Sequence, residues 1–392
     1  MVHICHISTT FSKRSGSAQR TIEVIKECVR HGYRVSLIVG RDNDISKSKL
    51  RDVNIFCVPE LVKYLSFRSD LTAPFKIIKI LKQIRPDIVH THLAKGGVLG
   101  RLSARWVRTP FILHTVHGPT FPREISFPKR FIYRSLEQFC GRFTDLFIFV
   151  GEELKKSYIE AGICSTESAV VIHTGRPDSE VDRKPLSSRR RTELCKELCG
   201  GKKSDFLIIT VGRIVASKQL DQGVSILKLL RDQGIDAHLA IVGKALLDEE
   251  QQHEMDIRML TIKQGVERNV FFAGYRTDVL DIMEAADAVL LTSRYEGLPN
   301  VAVEALIAGT PMVTYPVFGV REVLTHDTNG FIVKQNDITA ASKALTHIYK
   351  HTGSKDRVRK EEFKEVLMPF RVSVMVRQKM KIYKEIFQSI KT

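Results

Sequence analysis

The sequence predicts an α/β protein of two doubly wound domains, each a parallel sheet covered by helices on both faces. Three observations predict it. The chain has 392 residues, enough for two or three domains of the usual ~100–200 residues. Short, fully apolar runs alternate with amphipathic stretches from end to end, as expected of strands buried on both faces. The rhythm occurs twice, interrupted by a stretch without strand character. With 43% apolar and 27% charged residues, the composition is that of a globular protein, which excludes disordered, collagenous and repeat-fibre chains. No apolar run approaches the ~20 residues that span a bilayer.

In the first series, strands are expected at 2–7, 35–39, 53–58, 87–91, 111–116, 145–150 and 169–173, with helices near 18–31, 74–84, 96–107, 128–141 and 151–161. The second places strands near 206–211, 237–242, 270–273, 287–292, 311–314 and 331–333. Between them, Gly175, Pro177, Pro185, the run Arg189-Arg190-Arg191, Gly200 and Gly201 predict a linker. The expected organisation is therefore a domain over 1–174, a linker over 175–204, a second domain over 205–370 and a helix over 371–392. That helix carries Val372, Val376, Met380, Tyr383 and Phe387 at three- and four-residue spacing and is expected to pack back across the domain seam. Ligands of open α/β sheets bind beyond the carboxyl ends of the strands. Two such domains facing across a cleft would line it with the loops that follow each strand.

The N-terminus enters an apolar run at once, without the basic, apolar and cleavage regions of a signal peptide, so a cytoplasmic protein is expected. Seven scattered cysteines suit reduced thiols, and no second Cys/His pair near Cys195 and Cys199 completes a zinc set. The net charge is +17, and it is uneven: residues 1–172 hold 27 basic and 15 acidic residues, the remainder 34 and 29. An excess concentrated in the first half suggests an anionic partner there.

Two segments carry the chemistry. The first is Arg294-Tyr295-Glu296-Gly297-Leu298-Pro299-Asn300-Val301-Ala302-Val303-Glu304. It follows a strand, and Pro299 suits the first turn of a helix. The N–H groups near Asn300 and Val301, at the positive end of that helix, would donate to phosphate oxygens. Glu296 before it and Glu304 one turn within it suit a nucleotide sugar, one for sugar hydroxyls and one for ribose. The second is Gly212-Arg213-Ile214-Val215-Ala216-Ser217-Lys218, also after a strand. Gly212 lets the backbone turn, and Arg213 and Lys218 would neutralise a diphosphate leaving group.

Together, in this order, the segments resemble the retaining glycosyltransferases of family 4, which have the GT-B fold of two Rossmann-like domains. The resemblance continues through Ala308-Gly309-Thr310-Pro311, Gly319-Val320-Arg321-Glu322 and Asn329-Gly330-Phe331. In the first half, Pro86-Asp87-Ile88-Val89-His90-Thr91-His92, Lys95-Gly96-Gly97 and His114-Thr115-Val116-His117-Gly118 are similar to bacterial surface-polysaccharide members. The resemblance implies roles. Arg213 and Lys218 would bind the donor diphosphate beside Gly212, Glu304 the ribose, and Glu296 the donor sugar. Backbone N–H groups of Leu298, Asn300 and Val301 would support sugar and phosphate, with Gly297 and Pro299 completing the donor-binding segment. His117 would approach the transferred sugar, Gly16 would lie near diphosphate and acceptor, and Tyr275 and Arg276 would border the base. There are departures: the first loop has one glycine, Gly243-Lys244-Ala245 replaces Gly-x-Gly, and His173-Thr174-Gly175 stands where Asn-Gly is common.

The expected activity is metal-independent, retaining transfer of a hexose or N-acetylhexosamine, taken to come from a UDP-sugar, with no cofactor. No carboxylate nucleophile of the kind used by retaining glycosidases is evident, so same-face attack is expected. The acceptor would be lipid-linked or a polysaccharide under assembly for the cell surface. Arg101, Arg105, Arg108, Lys129, Arg130 and Arg134, interleaved with Trp106, Phe127, Phe131 and Tyr133, suit an anionic membrane surface, here the cytoplasmic face of the inner membrane. Asp42 and Asp44 form an Asp-x-Asp pair remote from the phosphate segments, and His90, His92, His114 and His117 a conceivable zinc set; neither is expected to bind metal. The rival readings are a sugar-nucleotide epimerase of the same fold and a basic nucleic-acid-binding protein. The latter leaves the paired carboxylates unexplained and shows no recognition motif, so no nucleic-acid partner is expected.

Overall fold

The computed structural model describes residues 2–11, 16–41, 50, 52–62, 66–202, 204–351 and 360–391. The chain divides into two compact units, Met1–Pro177 with Pro369–Thr392, and Asp178–Met368.

The first unit holds a seven-stranded sheet made of β1 (His3–Ser8), β2 (Arg34–Val39), β3 (Val53–Cys57), β4 (Ile88–His92), β5 (Phe111–Val116), β6 (Leu146–Phe149) and β7 (Ala169–Val171). Their order is β3-β2-β1-β4-β5-β6-β7, and every pairing is parallel. The central strands β1 and β4 are buried on both faces, and period-two alternation sends Val2 and Ile4 to one core, Cys5 and Ile7 to the other. The helices Gly16–Arg30 and Val372–Lys391 cover the first face and pack on each other. The helices Phe67–Ile84 and Ala94–Trp106 cover the second, with Phe127–Gly141 next in line.

The second unit holds β8 (Phe206–Val211), β9 (Ala237–Val242), β10 (Val270–Gly274), β11 (Ala288–Leu291), β12 (Met312–Thr314) and β13 (Gly330–Ile332). The order is β10-β9-β8-β11-β12-β13, again wholly parallel. Its core joins Phe206, Ile208, Leu239 and Ile241 of the sheet to Val224, Leu227 and Leu345 of the helices. Both sheets reverse direction at one point, between β1 and β4 in the first and between β8 and β11 in the second. Crevices open at such points.

The expected linker, 175–204, is instead built into the second unit from Asp178 onward. Its helix Ser188–Leu198 buries Leu194 and Leu198. Its basic residues meet the acidic segment around the helix Val279–Ala285: Arg183 binds Glu284 at 2.6 Å, Arg190 binds Asp278 at 3.3 Å, and Arg191 donates to the Glu284 carbonyl at 2.5 Å. The last helix belongs to the first unit. All seven cysteines are free. Among the described residues, no helix is long and apolar enough to cross a membrane.

Candidate active site

At the switch point of the second sheet the chain leaves β8 through Gly212 and Arg213 and leaves β11 through Thr292 and Ser293. The two loops are stitched together: Arg294 N–H donates to the Ser217 carbonyl at 2.8 Å, and Thr292 Oγ1 to the carbonyls of Lys218 and Gln219 at 2.8 and 3.0 Å. This brings Lys218 Nζ to 2.5 Å from Glu296 Oε1, which also accepts from Ser293 Oγ at 2.8 Å. Lys218 and Glu296 are about four-fifths buried. The expected cation and carboxylate, 78 residues apart, thus form one charge-assisted pair.

Arg213 is held separately. Its guanidinium donates to Glu250 Oε1 at 2.9 Å, and the other oxygen of Glu250 accepts from Leu246 N–H at 2.8 Å. Glu250 is buried in the first turn of the helix Asp248–Lys263. Sequence reasoning missed it; the acidic start Asp248-Glu249-Glu250 was visible, but nothing in it says which carboxylate turns inward.

The helix Asn300–Ala308 begins beside this pair, with Pro299 as its N-cap in extended conformation. First-turn N–H groups lack intrahelical carbonyls, and the Oδ1 of Asn300 is buried without a hydrogen-bond partner. Val301 and Glu304 are buried on the same helix, and Leu298 just before it. Gly319, at φ +73°, pins this approach: a Cβ there would lie 2.8 Å from Leu298 Cδ1 and 3.0 Å from the Gly297 oxygen.

In Gly243-Lys244-Ala245 the first glycine has a packing reason. A Cβ on Gly243 would stand 1.7 Å from the carbonyl oxygen of Gly212, so the ends of β8 and β9 touch through bare backbone. At the end of β10, Tyr275 is half exposed. Arg276 is taken up by protein: it donates to Asp278 at 2.8 and 2.7 Å and pairs with Glu197. These bonds raise its pKa, and Tyr275 is the exposed aromatic side chain of that turn.

The expected residues of the first unit fall into two groups. Gly16 opens the helix Gly16–Arg30 after β1, while the rest of its loop, 12–15, and the Asp42/Asp44 pair lie outside the described residues. His117 follows β5 and joins a histidine cluster at the other switch point. His6 of β1 and His90 of β4 are paired in register. His6 Nδ1 lies 3.0 Å from His92 Nε2, and His92 Nδ1 lies 3.3 Å from His117 Nε2. His90 is satisfied at both nitrogens, by Tyr383 OH at 2.6 Å and Thr115 Oγ1 at 2.7 Å. Burial, followed by the Lys379 cation, pushes the pKa of His6 and His117 down to about 3, and burial brings Lys379 down to about 8.

One nitrogen from each of His6, His90 and His92 lies within 4.8 Å of the others, near enough for one metal ion by distance alone. The rings argue otherwise. His6 and His92 are stacked, 12° from parallel, with nitrogens facing each other rather than a common point. His114 is apart, bonded to Thr91, and a Cβ on Gly97 would strike its Cε1 at 2.4 Å. Gly97 is therefore a packing device for this histidine, whereas Gly96 lies against Ser8 and Thr9 and Lys95 pairs with Asp70.

The description "Glycosyltransferase Family 4" matches residues 14–180, and "Glycosyl transferases group 1" matches residues 200–365. The chain belongs to the family 4 glycosyltransferases. This glycosyltransferase is 26% identical over 337 residues to the UDP-Gal:alpha-D-GlcNAc-diphosphoundecaprenol alpha-1,3-galactosyltransferase of Escherichia coli, covering 85% of this chain and 84% of that one. It is 21% identical to the N,N'-diacetylbacillosaminyl-diphospho-undecaprenol alpha-1,3-N-acetylgalactosaminyltransferase of Campylobacter jejuni, covering 94% and 95%. The solved structure of Anabaena HepE in complex with UDP-glucose superposes with a TM-score of 0.80 at 19% identity, covering 98% and 100%. The glycosyltransferase thus has the GT-B fold expected from its sequence.

Proposed function

We propose that this glycosyltransferase moves a hexose or N-acetylhexosamine from a nucleotide diphosphate sugar, a UDP-sugar first among them, to a lipid-linked or polysaccharide acceptor in cell-surface polysaccharide assembly. The transfer retains anomeric configuration and uses no metal ion. The carrying observation is the Lys218–Glu296 pair at the second sheet's switch point, beside the start of the helix Asn300–Ala308. The names of the relatives support the donor and acceptor classes.

The two ion pairs act as placeholders. A diphosphate entering beside Gly212 draws Lys218 from Glu296 and Arg213 from Glu250. Glu296 is then released to accept hydrogen bonds from donor-sugar hydroxyls. The two cations and the helix start take the charge that builds on the leaving group, which is the part a divalent metal plays elsewhere. Glu304 holds the ribose, Tyr275 borders the base, and His117 contacts the transferred sugar. The acceptor hydroxyl attacks from the face the phosphate leaves, and the phosphate oxygen takes its proton.

Incubating the protein with UDP-, GDP- and ADP-sugars, without acceptor, is expected to release the nucleoside diphosphate slowly from one donor series. EDTA is expected to leave that rate nearly unchanged, and its abolition by EDTA would return attention to Asp42 and Asp44. Interconversion of the sugar without release of diphosphate would mark an epimerase.

The membrane surface rests on the first unit. The helices Phe67–Ile84, Ala94–Trp106 and Phe127–Gly141 follow β3, β4 and β5 and pack side by side on one face of the sheet. They expose Phe67, Phe75, Trp106, Phe127 and Phe131 by between 62% and 88%, among Arg105, Arg108, Lys129 and Arg134, which are also exposed. Trp106, Arg105, Arg108 and Phe139 line one shallow pocket. Arg101, expected on this surface, is wholly buried against Glu137 and takes no part. Aromatic side chains interleaved with cations fit an anionic bilayer. In flotation assays the protein is expected to rise with vesicles containing phosphatidylglycerol and to remain behind with neutral ones; equal recovery would refute docking through this face.

A further inference from the structure

The histidine chain has two ends, and one of them decides the other. His6, His92 and His117 come from β1, β4 and the turn after β5, joined by contacts of 3.0 and 3.3 Å. A neutral imidazole has one N–H and one bare nitrogen, so the chain has only two consistent polarities. Either every ring donates toward His117, or every ring donates toward His6. Burial keeps the rings neutral.

The far end discriminates between them. His6 Nε2 is buried and has no hydrogen-bond partner. If the chain donated toward His6, that nitrogen would carry an orphaned N–H, which buried structure rarely tolerates. A bare acceptor there is the lesser penalty. Polarity therefore runs outward, from His6 Nδ1–H to His92 Nε2 and from His92 Nδ1–H to His117 Nε2. His117 is left with its proton on Nδ1, the pole for which the described residues supply no partner.

We infer that His6 and His92 are positioning residues that fix His117 as the Nδ1–H tautomer, so that it meets a sugar hydroxyl as a hydrogen-bond donor. The inference rests on the reading that His117 contacts the transferred sugar. It adds the direction of that bond and the two residues that set it. The His90 ring lies against His92, tilted by 33° with centroids 4.2 Å apart, and is itself held by Tyr383 and Thr115, which limits turning of the His92 ring.

The test uses the full chain labelled with 15N-histidine, with His117 assigned by its loss in His117→Asn. Ring-nitrogen shifts are expected to report Nδ1–H at His117. His92→Phe should erase that preference and lower kcat/KM about tenfold, the scale of one hydrogen bond to the substrate. His92→Asn, whose amide can donate from the place of Nδ1, should restore both. A wild-type His117 carrying its proton on Nε2 overturns the inference, as does an unchanged tautomer in folded His92→Phe. Stoichiometric zinc found by elemental analysis would also overturn it, because a metal would occupy the lone pairs. If His117→Ala instead transferred sugar at the wild-type rate, the assigned sugar contact would fall while the tautomer result stood.

Discussion

Replacing Lys218 by alanine is expected to lower sugar transfer by ~10²–10³-fold, the loss seen when one preorganised donor to a developing oxyanion is removed. Lys218 sits about four-fifths buried, 2.5 Å from Glu296, where water screens charge poorly and a cation acts strongly on a diphosphate. The effect should fall mainly on kcat, because the leaving group gains charge only as the glycosidic bond breaks. Lys218→Arg is not expected to rescue fully: a planar fork does not reproduce a compact ammonium beside the tight turn at Gly212. Arg213→Ala should lose ~10²-fold or more by the same criterion, and Glu296→Ala a similar ~10²-fold through misplacement of the sugar it holds. Initial-rate measurements of kcat and KM for donor check all four. Near-full activity in the three alanine variants together would remove the basis for the assigned site.

The largest effect on stability is expected at Arg101. Its guanidinium is fully buried, donating to Glu137 Oε2 at 2.7 Å and to the Gly97 carbonyl at 2.9 Å. Glu137 is equally buried, so Arg101→Met leaves a carboxylate in the interior with no counter-charge. Breaking one side of such a pair costs about 3–5 kcal/mol. The double variant Arg101→Met with Glu137→Leu should recover most of it, since apolar replacement of a buried pair is often neutral or stabilising. Denaturant unfolding of the two single variants and the double variant completes the cycle. Additive losses would show that Arg101 acts through its bond to Gly97 and its packing over Phe147, not through Glu137.

Much of this architecture was legible in the sequence. All thirteen expected strands appear within a residue or two of their places, because strands buried on both faces must be apolar throughout and short. The helix Phe67–Ile84 was expected to begin at 74. Pro74 resembles a first-turn proline, and the preceding Phe67 and Leu71 break the inward pattern because they face solvent. At the site, Lys218 and Glu296 could be read because both follow strands that meet at a switch point. Partners could not: Glu250 for Arg213 and Glu197 for Arg276 depend on which side chain of a charged helix turns inward, and sequence spacing does not encode that. Arg101 looked like surface charge because its partner Glu137 lies 36 residues away on another helix. His6 looked like a strand residue until register placed it opposite His90.

The last helix has a consequence for how the molecule is made. Tyr383 bonds His90 across 293 residues of sequence, and Met375, Tyr383 and Ile386 complete a core begun by Val2 and Ile4. Synthesis proceeds from the N-terminus, and domains generally fold as units in that order. Here the first unit must wait, one flank of its sheet open, while the whole second unit is translated. The histidines at β1 and β4 are then sealed by the helix Val372–Lys391, which is translated after the second unit. Closing so long a loop is slow, so the first unit begins to be translated ahead of the second and becomes native after it.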